Sequence, residues 1–193
     1  MLTEKTLNRI KKFLTAGLLA VLAVTLVTVN LRGASAKKAE ADGLYFTDMR
    51  LQDLTGGVYT AADLYRNALT VFTVWNPYCT ACIREMPLLS ALDREYAPQR
   101  VRFVGIEGEA YQYPEDVEKA IALYESSGAE NTQLLADQAF TEEILPRLNN
   151  AYPGTFIVDG RGRIRDFFAG SLKEEEWRAR IDGLLALTVN TAG

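Results

Sequence analysis

Leu69 to Trp75 reads LTVFTVW, seven uncharged residues of which six are β-branched or aromatic. That composition belongs to a strand covered on both faces rather than to one with a wet side. Such a strand needs a layer above and below it, and the flanking sequence provides both in alternation. A helix is predicted from Cys79 to Tyr96, with Pro87 inside it as a kink, and Val101 to Ile106 (VRFVGI) reads as the next buried strand. Pro114, with Glu115 and Asp116 in the first turn, opens a helix that Gly128 ends. Gln133 to Leu135 is a short strand, Thr141 to Leu148 a helix and Thr155 to Val158 a strand. Asp159-Gly160 turns that strand back into Arg163 to Phe168. Ser171 with Glu174 has the spacing of a capping box for a last helix reaching Leu187. Ahead of these, Met49 to Leu54 and Val58 to Thr60 flank Gly56-Gly57 as a hairpin, and Ala61 to Tyr65 is a short helix. Strands alternating with helices define an α/β domain with a mainly parallel sheet covered on both faces, to which the closing hairpin adds antiparallel edge strands.

One such domain accounts for most of the 193 residues. Histidine is absent, which removes Ser/His/Asp and Cys/His catalytic arrangements and every metal site that needs an imidazole. Two cysteines, Cys79 and Cys82, are too few for a structural zinc site, which takes about four ligands, so no metal is expected. From Lys37 onward sixteen basic residues stand against twenty-four acidic ones. An acidic body argues against nucleic acid as a partner.

The start of the chain has the opposite balance. Lys5, Arg9, Lys11 and Lys12 precede Phe13 to Leu31, which carries no charge and is about long enough as a helix to cross the hydrocarbon core. Basic residues on that side place the amino terminus in the cytoplasm and everything after Arg32 outside. Residues 1–36 are either an uncleaved anchor or a signal peptide cut after Ala34-Ser35-Ala36, and residues 37–43 (KKAEADG) form a short tether ahead of the domain at 44–193.

Chemistry concentrates in Trp75-Asn76-Pro77-Tyr78-Cys79-Thr80-Ala81-Cys82, between a buried strand and a helix. Cys79 falls where free backbone N–H groups and the helix dipole stabilise a thiolate, the attacking species. Cys82, one turn further on, can resolve a mixed disulfide by closing onto Cys79. An inert local disulfide is the alternative, though so short a loop stabilises little. Glu85 shares the helical face of Cys82. A carboxylate there raises thiol pKa values and can take the Cys82 proton, or else it is a solvated surface group. Trp75, Pro77 and Tyr78 read as an apolar and aromatic rim beside Cys79, with core packing as the other reading, above all for Trp75. Tyr152-Pro153-Gly154-Thr155 leads into a strand, and on local sequence alone Pro153 is a trans turn proline.

With these residues the motif W-x-P-x-C-x-x-C-x-x-E-x-P stands as Trp75, Pro77, Cys79, Cys82, Glu85 and Pro87, and it resembles the TlpA/ResA-like branch of the thioredoxin superfamily. The resemblance runs from about Gly43 to Leu187. It implies a thioredoxin-like three-layer fold with a mixed central sheet, an amino-terminal β-hairpin and a central insertion from Glu107 to Gln138. It also implies that Pro153 is cis and faces the cysteines, with Tyr152 and Pro153 presenting backbone groups to an extended substrate. Three features depart from the pattern or refine it. Thr73 stands where many thioredoxins have a buried Asp, which leaves Glu85 as the internal proton acceptor. Gly154 replaces the usual Thr after the cis proline, implying a looser groove. Thr80-Ala81 lacks the His of strong oxidants, which favours a reductant.

The expected function is a thiol–disulfide oxidoreductase outside the cytoplasm, reducing disulfides in exported proteins such as apocytochrome c. The resemblance implies a membrane thiol electron donor and no cofactor beyond the Cys79–Cys82 disulfide. A disulfide oxidase is the alternative within the fold. A peroxiredoxin-like thiol peroxidase is a more distant one, since it needs Thr or Ser where this chain has Asn76.

Overall fold

The structure is a computed structural model and describes residues 50–64, 66–149 and 151–190. The expected leader and tether lie outside these residues, as do Met49 and Tyr65. Among the described residues no helix is long and apolar enough to cross a membrane.

Among the described residues seven strands form one sheet: β1 (Arg50–Asp53), β2 (Val58–Thr60), β3 (Leu69–Trp75), β4 (Val101–Glu107), β5 (Gln133–Leu135), β6 (Gly154–Asp159) and β7 (Ile164–Ala169). Their order across the sheet is β2-β1-β5-β4-β3-β6-β7. The helices are α1 (Ala61–Leu64), α2 (Thr80–Tyr96), α3 (Val117–Ser127) and α4 (Glu174–Asn190). β3 is buried at every position. Its Leu69 and Val71 pack with Leu89 and Leu92 of α2 and with Trp177 and Ile181 of α4. Phe72 and Val74 point to the opposite face, where Phe140, Leu145 and Leu148 cover them. Each fully buried side chain of this size stabilises the fold by roughly 1.5–3 kcal/mol, which is why the run admits no alternating polar residue.

The sheet is mixed rather than mainly parallel. β3–β4 and β4–β5 are parallel, whereas β1–β2, β1–β5, β3–β6 and β6–β7 are antiparallel. Among the described residues no α-helix lies between β5 and β6 to return the chain to the other end of the sheet. β6 therefore enters beside the end of β3, with Gly154 opposite Val74.

The expected helix from Thr141 to Leu148 is instead a π turn at Phe140–Ile144 followed by a 3-10 turn at Leu145–Leu148. Pro146 has no N–H to continue an α-helix, and Asn149 ends the turn in a left-handed conformation at φ 53°. The expected capping box is also displaced. Lys173 starts the helix instead: its carbonyl accepts from Glu176 N–H and Trp177 N–H, and its own N–H is met by Glu176 Oε2 at 2.7 Å, while the Ser171 side chain interacts with Glu85. At the amino-terminal hairpin the Asp53 carboxylate organises the turn by accepting from the N–H groups of Thr55 and Gly57, each at 2.8 Å.

Candidate active site

β3 ends at Trp75 and α2 begins at Thr80, so the intervening loop emerges at one end of the sheet. Asn76 folds it. Its carbonyl accepts from Cys79 N–H at 3.1 Å and its Oδ1 accepts from Tyr78 N–H at 2.9 Å. Its Nδ2 donates to Glu109 Oε1 at 3.1 Å. Cys79 is then the N-cap of α2, and its Sγ accepts the Cys82 N–H at 3.1 Å. The same N–H and the helix dipole would stabilise a Cys79 thiolate in the reduced protein. Cys79 and Cys82 are joined in a disulfide with Cα atoms 5.3 Å apart. The two sulfurs are inequivalent: Cys79 is half-buried, whereas Cys82 is 3% exposed.

Glu85 sits one turn below Cys82 and is 7% exposed, so it is not a solvated surface group. Its Oε1 accepts from Trp177 Nε1 at 2.8 Å and from Leu172 N–H at 3.1 Å. Burial pushes its carboxyl above the usual range, against the opposing pull of these bonds and of Ser171.

The Tyr152–Pro153 bond is cis. Pro153 lines the same small cavity as Trp75, Cys82 and Glu85, which brings the proline, the buried cysteine and the carboxylate together. Tyr152, like Cys79, packs against the buried cluster that contains Trp75 and Cys82. The expected aromatic rim reduces to Tyr78, which is 63% exposed, because Trp75 and Pro77 are buried. The central insertion holds Tyr78: its hydroxyl donates to Asp116 Oδ1 at 2.9 Å, and Lys119 Nζ lies 3.5 Å from the ring centroid. Gly154 does not open the groove. A Cβ there would lie 2.4 Å from Leu148 Cδ1, so Leu148 already fills the space behind it.

Sequence reasoning does not single out three polar residues of the insertion, Asn131, Gln133 and Glu107, that the fold brings to this end. Gln133 Oε1 accepts from Trp75 Nε1 at 2.8 Å, and Asn131 lies beside it. Gly105, in the middle of a buried strand, is the available signal, because a Cβ there would meet Gln133 Oε1 at 1.8 Å. Glu107 stands opposite Trp75 in the sheet and is 2% exposed. Its Oε1 accepts from Glu109 N–H at 3.2 Å, while its Oε2 is buried without a partner. Burial, reinforced by the charges of Glu109 and Asp116, pushes the Glu107 carboxyl up to about 7. Burial and the carboxylates of Glu109 and Glu107 likewise raise the Tyr152 phenol. Among the described residues no group of three or more acidic or cysteine side chains is arranged to hold a metal ion.

A disulfide at the start of a helix, facing a cis proline at the end of a mixed sheet, defines a thiol–disulfide oxidoreductase of the thioredoxin superfamily. Residues 43–167 match the AhpC/TSA family, and the chain belongs to it. The thioredoxin-like protein YneN of Bacillus subtilis is 25% identical over 90% of this chain and 98% of its own length. The thiol:disulfide interchange protein HelX of Rhodobacter capsulatus is 30% identical over 68% of this chain and 69% of its own. Among solved structures, a secreted disulfide oxidoreductase of Mycobacterium tuberculosis superposes with a TM-score of 0.54 at 22% identity, over 73% of this chain and 96% of that one. The TlpA/ResA-like reading agrees with these relatives. The redox group is the Cys79–Cys82 disulfide of the protein itself.

Proposed function

We propose that the protein reduces disulfides in exported proteins such as apocytochrome c, outside the cytoplasm, with its domain at 44–193 anchored or exported through residues 1–36. The observation that carries this reading is the inequality of the two sulfurs. Cys79 is half-buried at a helix N-terminus and Cys82 is enclosed above a buried carboxylate. Cys79 attacks a substrate disulfide as a thiolate, and one substrate sulfur leaves. Cys82 then attacks Cys79 Sγ, closes the disulfide and releases the second substrate sulfur. Two electrons pass to the substrate, and a membrane thiol donor restores the dithiol. Tyr78, Tyr152 and Pro153 line the approach to Cys79.

Electrostatics support the reducing direction. Strong oxidants owe their potential to a stabilised thiolate. Here Thr80-Ala81 supplies no cation, and Glu85 disfavours negative charge on Cys82. The extracytoplasmic location is supported by the basic residues ahead of Phe13 and by a secreted structural neighbour.

The deciding measurement is the reduction potential of the pair in the full-length protein, equilibrated against glutathione or dithiothreitol. A value near ~−270 mV supports the reductase, and one near ~−120 mV makes the protein an oxidant. Cys82→Ser should trap mixed disulfides through Cys79. Equal trapping on Cys79→Ser would overturn this assignment of the two roles.

A further inference from the structure

Beneath the redox pair lies a cavity of about 10 Å³. That is about the size of one water site, and a water is retained where two or more polar groups meet it. Asn131, 4% exposed, lines this cavity together with Cys82 and Glu85. Its Nδ2 donates to the Phe103 carbonyl at 3.1 Å, which fixes the orientation of the amide. Its Oδ1 is then the free end, and it is buried without a hydrogen-bond partner. Gln133, the neighbouring amide, is engaged at both ends: Oε1 by Trp75 and Nε2 by the Asn131 carbonyl at 3.5 Å. The unmet acceptor in this cavity is therefore Asn131 Oδ1.

We propose that Asn131 Oδ1 holds a water linking Cys82 Sγ to the Glu85 carboxylate, which makes Asn131 a positioning residue for proton transfer in the resolving step. This rests on the reading of Cys82 as resolver and Glu85 as proton acceptor. In the mixed disulfide, Cys79 Sγ is bonded to a substrate sulfur. The Cys82 thiol gives its proton to the water as the water gives one to Glu85. The Cys82 sulfur then forms the bond to Cys79 Sγ, and the bond from Cys79 to the substrate breaks. The substrate sulfur departs with that electron pair as a thiolate and is protonated by solvent.

Among the described residues only α2 supplies titratable groups to the cavity, Cys82 and Glu85. β3 contributes Thr73 and Trp75, the insertion Asn131 and Gln133, and the turn into β6 Pro153, all neutral. Glu85 meets the neutral Trp177 indole, Leu172 N–H and Ser171 from the last helix and its approach. A proton leaving Cys82 inward has one charged destination.

The test uses the full-length reduced protein with glutathione disulfide as the probe. It follows decay of the Cys79–glutathione mixed disulfide by acid quench and mass spectrometry from acid to alkaline pH. Asn131→Leu is expected to slow this step about tenfold at neutral pH and to move its pH midpoint upward. In a Glu85→Gln background the same change should add little, because the path is already broken. Asn131→Ser, which keeps an acceptor, should retain the original midpoint. If Asn131→Leu folds and leaves the profile unchanged while Glu85→Gln moves it, the role of Asn131 is overturned and the functional reading stands. If neither variant moves the profile and Cys82→Ser traps nothing, the functional reading itself falls. If the leucine variant does not fold, Asn131→Ala is judged by the same profile.

Discussion

Trp177 Nε1 donates to Glu85 Oε1 at 2.8 Å, tying the last helix to the turn that follows Cys82. Trp177 is itself wedged edge-on against Phe103, with ring centroids 5.8 Å apart. The carboxylate is thus held by the core of the domain rather than by the redox loop.

Glu85→Gln should therefore separate chemistry from stability. Thiol–disulfide exchange is expected to fall by roughly 10²-fold, the low end of what positioned proton transfer contributes. Stability at alkaline pH should rise, because the variant no longer buries a carboxylate whose pKa is raised by desolvation. Turnover with glutathione disulfide and urea unfolding of the same sample check both halves.

Glu107 makes a second pH-dependent contribution with a defined window. Its carboxyl is held near 7 in the folded protein against an ordinary value of 4.5. Between those pH values the folded state keeps a proton that the unfolded state has lost. Stability therefore declines as pH rises through the window and levels off above it, by at most about 3 kcal/mol. Glu107→Gln should flatten the decline and be more stable than the parent at pH above the window. Urea midpoints on either side of the window measure it, and a parent protein that gains stability across it would contradict the assignment.

Gly154→Ala should destabilise the domain by about 1–3 kcal/mol through the clash with Leu148. Leu148→Ala, which opens a core cavity, should be destabilising by about 2–5 kcal/mol. Combined, they should fall short of the sum, because the truncated side chain makes room for the added methyl. Denaturant unfolding of the three variants closes the cycle, and strict additivity would refute the contact.

The protein should not consume peroxide. Asn76 stands three residues before Cys79, and its amide is occupied at both ends, by Tyr78 N–H and by Glu109. No side-chain hydroxyl is available there to orient a peroxide. Peroxide-dependent oxidation of dithiothreitol at the uncatalysed rate is the expected result.

Local sequence carried most of the strands, because their signals are short-range. LTVFTVW, rich in β-branched and aromatic residues, reads as a buried strand and is one, and Gly128, at φ 71°, ends α3 where expected. The redox loop was legible for the same reason, since a strand, a C-x-x-C and a helix start lie within a few residues. What was not legible depended on partners distant in sequence. Ser171 reads as a cap until Glu85, which lies far upstream in the chain, competes for it. Gly154 reads as a loosened groove until Leu148 is packed behind it.

The sequence by itself determined the layered α/β architecture, the redox pair and the side of α2 on which Glu85 lies, because periodicity and spacing act within one element. Only the tertiary structure decided that β6 runs against β3, that Trp75 and Pro77 are buried while Tyr78 is exposed, that Asn131 and Gln133 line the cavity at Cys82, and that Glu107 is buried opposite Trp75. The physical reason is burial. Whether a carboxylate is raised to about 7, or an amide oxygen is left unpaired, depends on which strands and helices exclude water from it, and that is settled when the sheet closes over β3.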